Sequence, residues 1–406
     1  MSNGTLAQDL PSDSGPAAYL LALVSNGSGG YDLKKIPPSD AYPSAANDAG
    51  WTNVGAPITT DRLVVDGDHG KTIYSTANVG TITFDAATDY ASTEHATRLY
   101  NGTARGWKVD VDGEIFPLWP KQTAEVYRVG NAWAIRRPEL WRSPVGGITF
   151  YVNHSSGSDT NNDGLTSGSA FATIQKAIRT IEFDVWCAGY GATVQVLDAS
   201  FAEDTVSHTY RIGGYHVIYL VGNAASPTSC VWNVGQAGVG RVGLTCRDWS
   251  GIIVDGFQFV ALNNGCTATS TSQHGITDIW RCNFNTFAAG IHIESTNGGS
   301  VGYVVGATIT ISGSAAYHWN VAGANLLCTG VTIVVNSALS MTCFVQGLLN
   351  AVMILAGISF TGGGAGSGTT GLKYILATGA QLSLNGTTLP GATAGSASAT
   401  SYAYAA

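Results

Sequence analysis

The phrase Ile252-Ile253-Val254-Asp255-Gly256-Phe257-Gln258-Phe259 returns as Leu326-Leu327-Cys328-Thr329-Gly330-Val331-Thr332-Ile333 and again as Met353-Ile354-Leu355-Ala356-Gly357-Ile358-Ser359-Phe360. Each copy is an apolar run, a small pivot and an apolar-x-apolar pair. Looser copies place their pivots at Asp198, Gly222, Cys282, Gly306 and Gly386. The pivots at 198, 222, 256, 282, 306, 330, 357 and 386 are separated by steps of 24, 34, 26, 24, 24, 27 and 29. Steps in the twenties mark a solenoid, because one unit cannot bury its apolar face alone and must stack on its neighbours.

Within the phrase the alternation has period two, so Phe257 and Phe259 point one way and Gln258 the other. The runs are too short for a helical stripe. Parallel strands with their apolar residues turned into one tube fit the pattern, with glycine where the chain turns a corner. A parallel β-helix is the expected fold.

Charge sets limits on partners. The chain has 406 residues, 19 basic and 27 acidic, for a net charge of -8, which disfavours a nucleic-acid partner. Every acidic residue lies at or before Glu294, and from Ser295 to Ala406 the one formally charged side chain is Lys373. So neutral a surface favours association, and a homo-oligomer is expected. The segment Met1-Ser2-Asn3-Gly4-Thr5 lacks the stretches of a secretory signal, and no segment reads as a membrane span; the expectation is cytosolic synthesis without membrane insertion. The seven cysteines lack CxxC spacing and read as buried thiols.

Organisation follows from composition shifts. Residues 1–50, with Pro11, Pro16, Pro37, Pro38 and Pro43, read as an extended arm carrying one hairpin, Tyr19–Val24 against Tyr31–Leu33. Residues 51–142 read as a small β-sandwich. Its Asp68-His69-Gly70-Lys71-Thr72-Ile73, Thr81-Ile82-Thr83-Phe84 and Asn131-Ala132-Trp133-Ala134-Ile135 resemble a module of fibre and spike proteins from tailed bacteriophages and gene transfer agents. Residues 143–390 carry the repeats. They open with the strand Thr149–Asn153, the polar turn Gly157–Gly164 and a helical pattern over Phe171–Ile181, with Ser169 as the expected N-cap. That opening resembles pectin-lyase-like β-helix proteins, phage tailspikes among them. The resemblance implies a right-handed parallel β-helix closed at its N-terminal end by the short α-helix. Residues 391–406 read as a low-complexity tail.

Chemistry is sparser. Glycoside hydrolysis needs two carboxyls across a sugar bond, one of them with a raised pKa. The repeats offer Asp248, Asp255, Asp278 and Glu294, and stacking could bring Asp255 and Asp278 together. Each also fits a turn or a solvated wall position. Trp232, Trp249, Trp280 and Tyr215 are the candidate sugar-stacking aromatics, since an exposed ring offers a flat apolar face with a polar handle. Asp159, Asn161 and Asp163 match the first half of a calcium loop, but Ala170 stands where the closing Glu belongs, and turn chemistry explains the same residues. No cofactor is expected, with calcium as the alternative. His292 near Glu294 and His274 near Asp278 lack a third ligand at metal spacing.

The resemblance, read with these residues, implies a virion spike or fibre. It would attach to the head or tail of the particle through its N-terminal region, form a trimer or pentamer, and bind host surface polysaccharide. A depolymerase and a structural decoration protein are the alternatives.

Overall fold

The computed structural model describes residues 20–25, 31–36, 52–53, 57–75, 81–91, 95–103, 106–120, 122–129, 131–136, 141–142, 147–187, 190–209, 217–336 and 338–404. They fall into two units, Met1–Pro138 and Glu139–Ala406. Among the described residues the protein is all-β, with a parallel β-solenoid of about 11 turns and one short α-helix.

In the first unit Leu20–Ser25 pairs antiparallel with Tyr31–Ile36, the hairpin expected of the arm. The sandwich that follows is built by coiling. The chain passes back and forth between two sheets, so Thr52–Asn53, Lys71–Ser75 and Ala96–Asn101 run parallel in one. Arg62–Leu63, Thr81–Phe84 and Trp107–Val111 run parallel in the other. Antiparallel strands Glu114–Leu118, Thr123–Val129 and Ala132–Arg136 then finish the two sheets. Ile73, Ile82, Phe84, Leu99, Trp107, Val109, Phe116 and Val126 make the buried core between them.

The second unit is a three-sided tube. Ten strands from Ile148–Val152 to Tyr402–Tyr404 form its first sheet, seven from Ser200–Ala202 to Ser359–Thr361 its second, and eight from Val206–His208 to Ser396–Ala397 its third. Residues after 390, read from composition as a separate tail, are part of the last coil. Ser396–Ala397 pairs with Ile375–Leu376, and Tyr402–Tyr404 with Gln381–Ser383. Inward residues stack coil upon coil. Phe201, Trp232, Phe259 and Phe284 occupy one register column of the second sheet, with ring centroids 5.4, 5.3 and 5.6 Å apart. All seven cysteines are buried, and burial pushes the Cys282 thiol up to about 12.

The pivots lie between the first and second sheets. Gly256, Gly306, Gly330, Gly357 and Gly386 hold φ from +61° to +82°, the left-handed region where a Cβ is strained. The earlier pivots Asp198 and Gly222 are not left-handed, and the one read at Cys282 is displaced: register pairs Asp255 with Trp280, so Arg281 (φ +46°) turns this corner. Cys282 takes the inward place that Phe257 has one coil earlier. The steps from 256 to 281 and from 281 to 306 then both become 25. The corner from third to first sheet is a second left-handed column, with Asp248-Trp249, Gln273-His274, Asn297-Gly298, Leu349-Asn350 and Thr378-Gly379 all at positive φ.

Helix α1 (Ile174–Asp184) closes the tube at its N-terminal end, burying Ile174, Ala177, Ile178 and Ile181. Its N-cap is Thr173, whose hydroxyl accepts from the Lys176 amide, not Ser169. Phe171 is still bridged to Val152 in extended form, so the helix starts only after it. The Glu203 carboxylate accepts the amides of Ile174 and Gln175 and the Nε2 of His154 at 2.8, 2.9 and 2.8 Å. His154 Nδ1 meets Asp198 at 2.9 Å, and the ring stacks on Phe201 at 4.2 Å. Carboxylates only accept, so His154 satisfies both when both ring nitrogens carry protons. Burial opposes that charge, but Glu203 and Asp198 hold its pKa above the ordinary histidine value.

The pivot column yields a graded expectation. An alanine Cβ at Gly256 would collide with the backbone of Asn223 and Ala224, whereas one at Gly386 meets nothing within 4 Å. Gly256→Ala is expected to cost more than about 2 kcal/mol and Gly386→Ala about 1 kcal/mol, in urea unfolding at neutral pH.

Candidate functional site on the outer wall

The repeat parity that sends Thr277 and Ile279 into the tube sends Ile276, Asp278 and Trp280 out of it. On the preceding coil Ile253 and Asp255 occupy the same outer face, Ile253 opposite Asp278 and Asp255 opposite Trp280. Asp255 and Asp278 therefore share a wall but are offset by two residues along adjacent strands, about 8 Å apart at Cα by strand spacing and rise.

Their environments differ. Asp255 is buried, and Arg281 grips its two carboxylate oxygens through Nε and Nη2. The Arg281 guanidinium also lies 3.8 Å from the Trp280 ring centroid, so one residue clamps both the acid and the indole. Arginine at a left-handed pivot is strained where the other coils use glycine, and the double grip offsets that strain. Among the described residues no such cation meets Asp278. Burial pushes its carboxyl above the ordinary aspartate value. The next residue in its column is Gly302, and a Cβ there would run into Asp278 Oδ1. The missing side chain leaves the carboxyl its place on the wall.

The third-to-first corner adds an aromatic ledge. Trp249, 59% exposed, lies on the His274 ring at 4.4 Å with planes 4° apart, and Gly298 on the next coil leaves room beneath the imidazole. Left-handed backbone at both Trp249 and His274 is what superposes the rings. Asp248 sits beside them, half exposed, 3.6 Å from Arg247. From the ledge, Ile276, Asp278 and Trp280 lead along the strand to the Arg281 clamp.

The other candidates lie elsewhere. Glu294 is on the outer side of the third sheet, where it accepts from Ser270 Oγ at 2.8 Å and Asn320 Nδ2 at 3.2 Å. Trp232 is fully buried in the aromatic column and donates to Glu203 O, so it has no face to offer a ligand. Tyr215 falls outside the described residues. Asp159 accepts the amides of Ala172 and Thr173 and the Thr173 hydroxyl. Asp163 accepts the Leu165 amide and the Ser169 hydroxyl, and the Asn161 amide bonds to Ser158. The oxygens that a cation would need thus serve the turn before α1. Among the described residues no group of three or more His, Cys, Asp or Glu could hold a metal ion. Arg281, His274 and Gly302 are the site residues that sequence reasoning did not assign.

No family model, curated protein or solved structure matches this chain.

Two variants separate the acids. Arg281→Gly relieves the backbone but strands the buried Asp255, so a net loss of about 3 kcal/mol is expected in denaturant unfolding, recovered largely by adding Asp255→Asn. Asp278 has its folded pKa raised, so its charge costs stability once the pH is above the ordinary aspartate value, increasingly as pH rises through the folded value. Asp278→Asn is expected to raise the melting temperature at neutral pH and to lose that advantage near pH 3.

Proposed function

We propose that this chain is a virion spike or fibre protein that binds host surface polysaccharide on the outer wall of its β-helix. The observation that carries this reading is the run from the Trp249–His274 ledge through Ile276 and Asp278 to Trp280 and Arg281. Flat apolar rings at both ends with a hydrogen-bonding carboxyl between them suit a chain of sugar rings, which stack on such faces and bond through their hydroxyls. The resemblance of the first unit to phage fibre and spike modules, and of the opening of the second to tailspikes, supports a place on a virus particle. The N-terminal region would then dock on the head or tail.

Binding is favoured over cleavage. Hydrolysis asks for a second working carboxyl across the bond from the acid, and the neighbour within reach, Asp255, is neutralised by Arg281. Self-association accounts for the later coils: Leu327, Val352, Ile354, Tyr402 and Tyr404 stand exposed on the first sheet, in a stretch whose formal charge is Lys373 alone. A homo-oligomer, with a trimer as the leading stoichiometry, covers that face.

Purified oligomer is expected to bind capsule or O-antigen from its host without releasing reducing ends. Trp249→Ala and Asp278→Asn should each weaken binding about tenfold, or about 1.4 kcal/mol. Wild-type protein that binds no host surface polysaccharide removes the proposal; release of reducing ends that Asp278→Asn abolishes replaces it with a depolymerase.

A further inference from the structure

Within the tube, the third sheet places His292 directly against His318 on the next coil, both with zero exposure. Their Nδ1 atoms are 3.0 Å apart, and His292 Nε2 lies 2.9 Å from the carbonyl oxygen of Asn285. These contacts fix the protons. A carbonyl only accepts, so His292 carries its proton on Nε2 and presents a lone pair at Nδ1. His318 must then donate from its own Nδ1, which leaves its Nε2 as a bare lone pair, and that atom is buried without a partner. The pair holds two protons and has no place for a third. Protonating His318 Nε2 puts a charge among Phe284, Trp319 and Phe344, and protonating His292 Nδ1 sets two N–H groups against each other.

We propose that this pair is an acid-operated seam: on acidification the tube opens first at the coils spanning residues 283–348, while the lid end stays shut. The surroundings offer a new charge nothing. Phe284 and Phe287 face the pair from one side, Phe344 from the following coil, and Trp319 lies beside it with its indole N–H on Tyr303. The titratable groups nearby are neutral: burial raises the Tyr303 phenol well above its usual value and the Cys282 and Cys343 thiols to about 12. The nearest carboxylate in sequence, Glu294, is held on the outer side by Ser270 and Asn320. Burial accordingly pushes His292 down to about 4 and, with His292 beside it, His318 well below the ordinary histidine value.

The sign follows by linkage. A histidine depressed in the fold leaves stability intact above the ordinary value of 6.5 and removes it as pH falls from there toward the folded value. His154 at the lid works oppositely: its raised pKa makes its contribution complete below 6.5 and lost as pH rises through the folded value. Acid therefore loosens the later coils and leaves the latch on α1 charged and closed.

Hydrogen exchange of the full-length protein at about pH 7 and about pH 4.5, corrected for intrinsic rates, tests this directly. Peptides covering 283–348 are expected to lose about a hundredfold in protection on acidification, while those covering 148–197 keep theirs. His292→Phe combined with His318→Leu should abolish the difference. Should that variant not fold, exchange of the imidazole C2 protons in the wild type gives each histidine's titration. The proposal is overturned if residues 283–348 stay protected in acid, if the lid opens first, if the double variant opens like wild type, or if His318 titrates near the ordinary value.

Discussion

Everything in the second unit depends on one constraint: a coil has no buried interior until another coil lies on it in register. The ladders enforce that register and the side chains exploit it, since a parallel ladder sets like positions above one another at nearly the spacing of stacked rings. The column of Phe201, Trp232, Phe259 and Phe284 is the result. At one end it meets His154, at the other the His292–His318 pair. The tube thus has an aromatic axis with an imidazole group at each end, one held charged by carboxylates and one kept neutral by apolar rings. Cooperativity should be local, because each coil touches chiefly the coils before and after it.

The outer surface obeys different rules. There, stacking brings together whatever the repeat leaves polar or aromatic, and the arrangement around Asp278 departs from the economy of the interior. An arginine stands where glycine would be relaxed, an acid sits partly desolvated without a cation, and a tryptophan lies exposed on a histidine. Three departures from local preference within two adjacent coils are more than a scaffold needs. Strain concentrated in this way is what binding sites retain at some loss of stability.

Much of the tube was legible in the sequence because both of its signals are local: strand alternation and glycine at corners. The signal fails where another residue takes the left-handed place. Arg281 is invisible to a search for small pivots; with it in place, Asp255 and Asp278 lie one and three residues before their pivots, an offset of two. Trp232 and Trp249 look alike by composition. Repeat alignment separates one of them, since Trp232 matches Phe259 and so belongs inside; Trp249 sits at a corner, where parity gives no direction. The His292–His318 contact joins residues 26 apart, one coil length, and becomes readable only once the coil boundaries are placed. The turn at Asp159–Asp163 shows the opposite limit, as residues chosen for oxygen chemistry serve backbone amides instead.

Of the three corners, two span only two to four residues between residues 247 and 380, where their left-handed columns run. The third, between the second and third sheets, varies freely, spanning residues 235–241 on one coil, 262–266 on the next, 285–286 after that and 362–369 near the end. The longest step, 34, draws on two corners at once, residues 222–230 between the first and second sheets and 235–241 between the second and third. Along the later coils this edge of the prism lengthens without disturbing either neighbouring ladder, so it is where a lineage could vary the outer surface while keeping the tube.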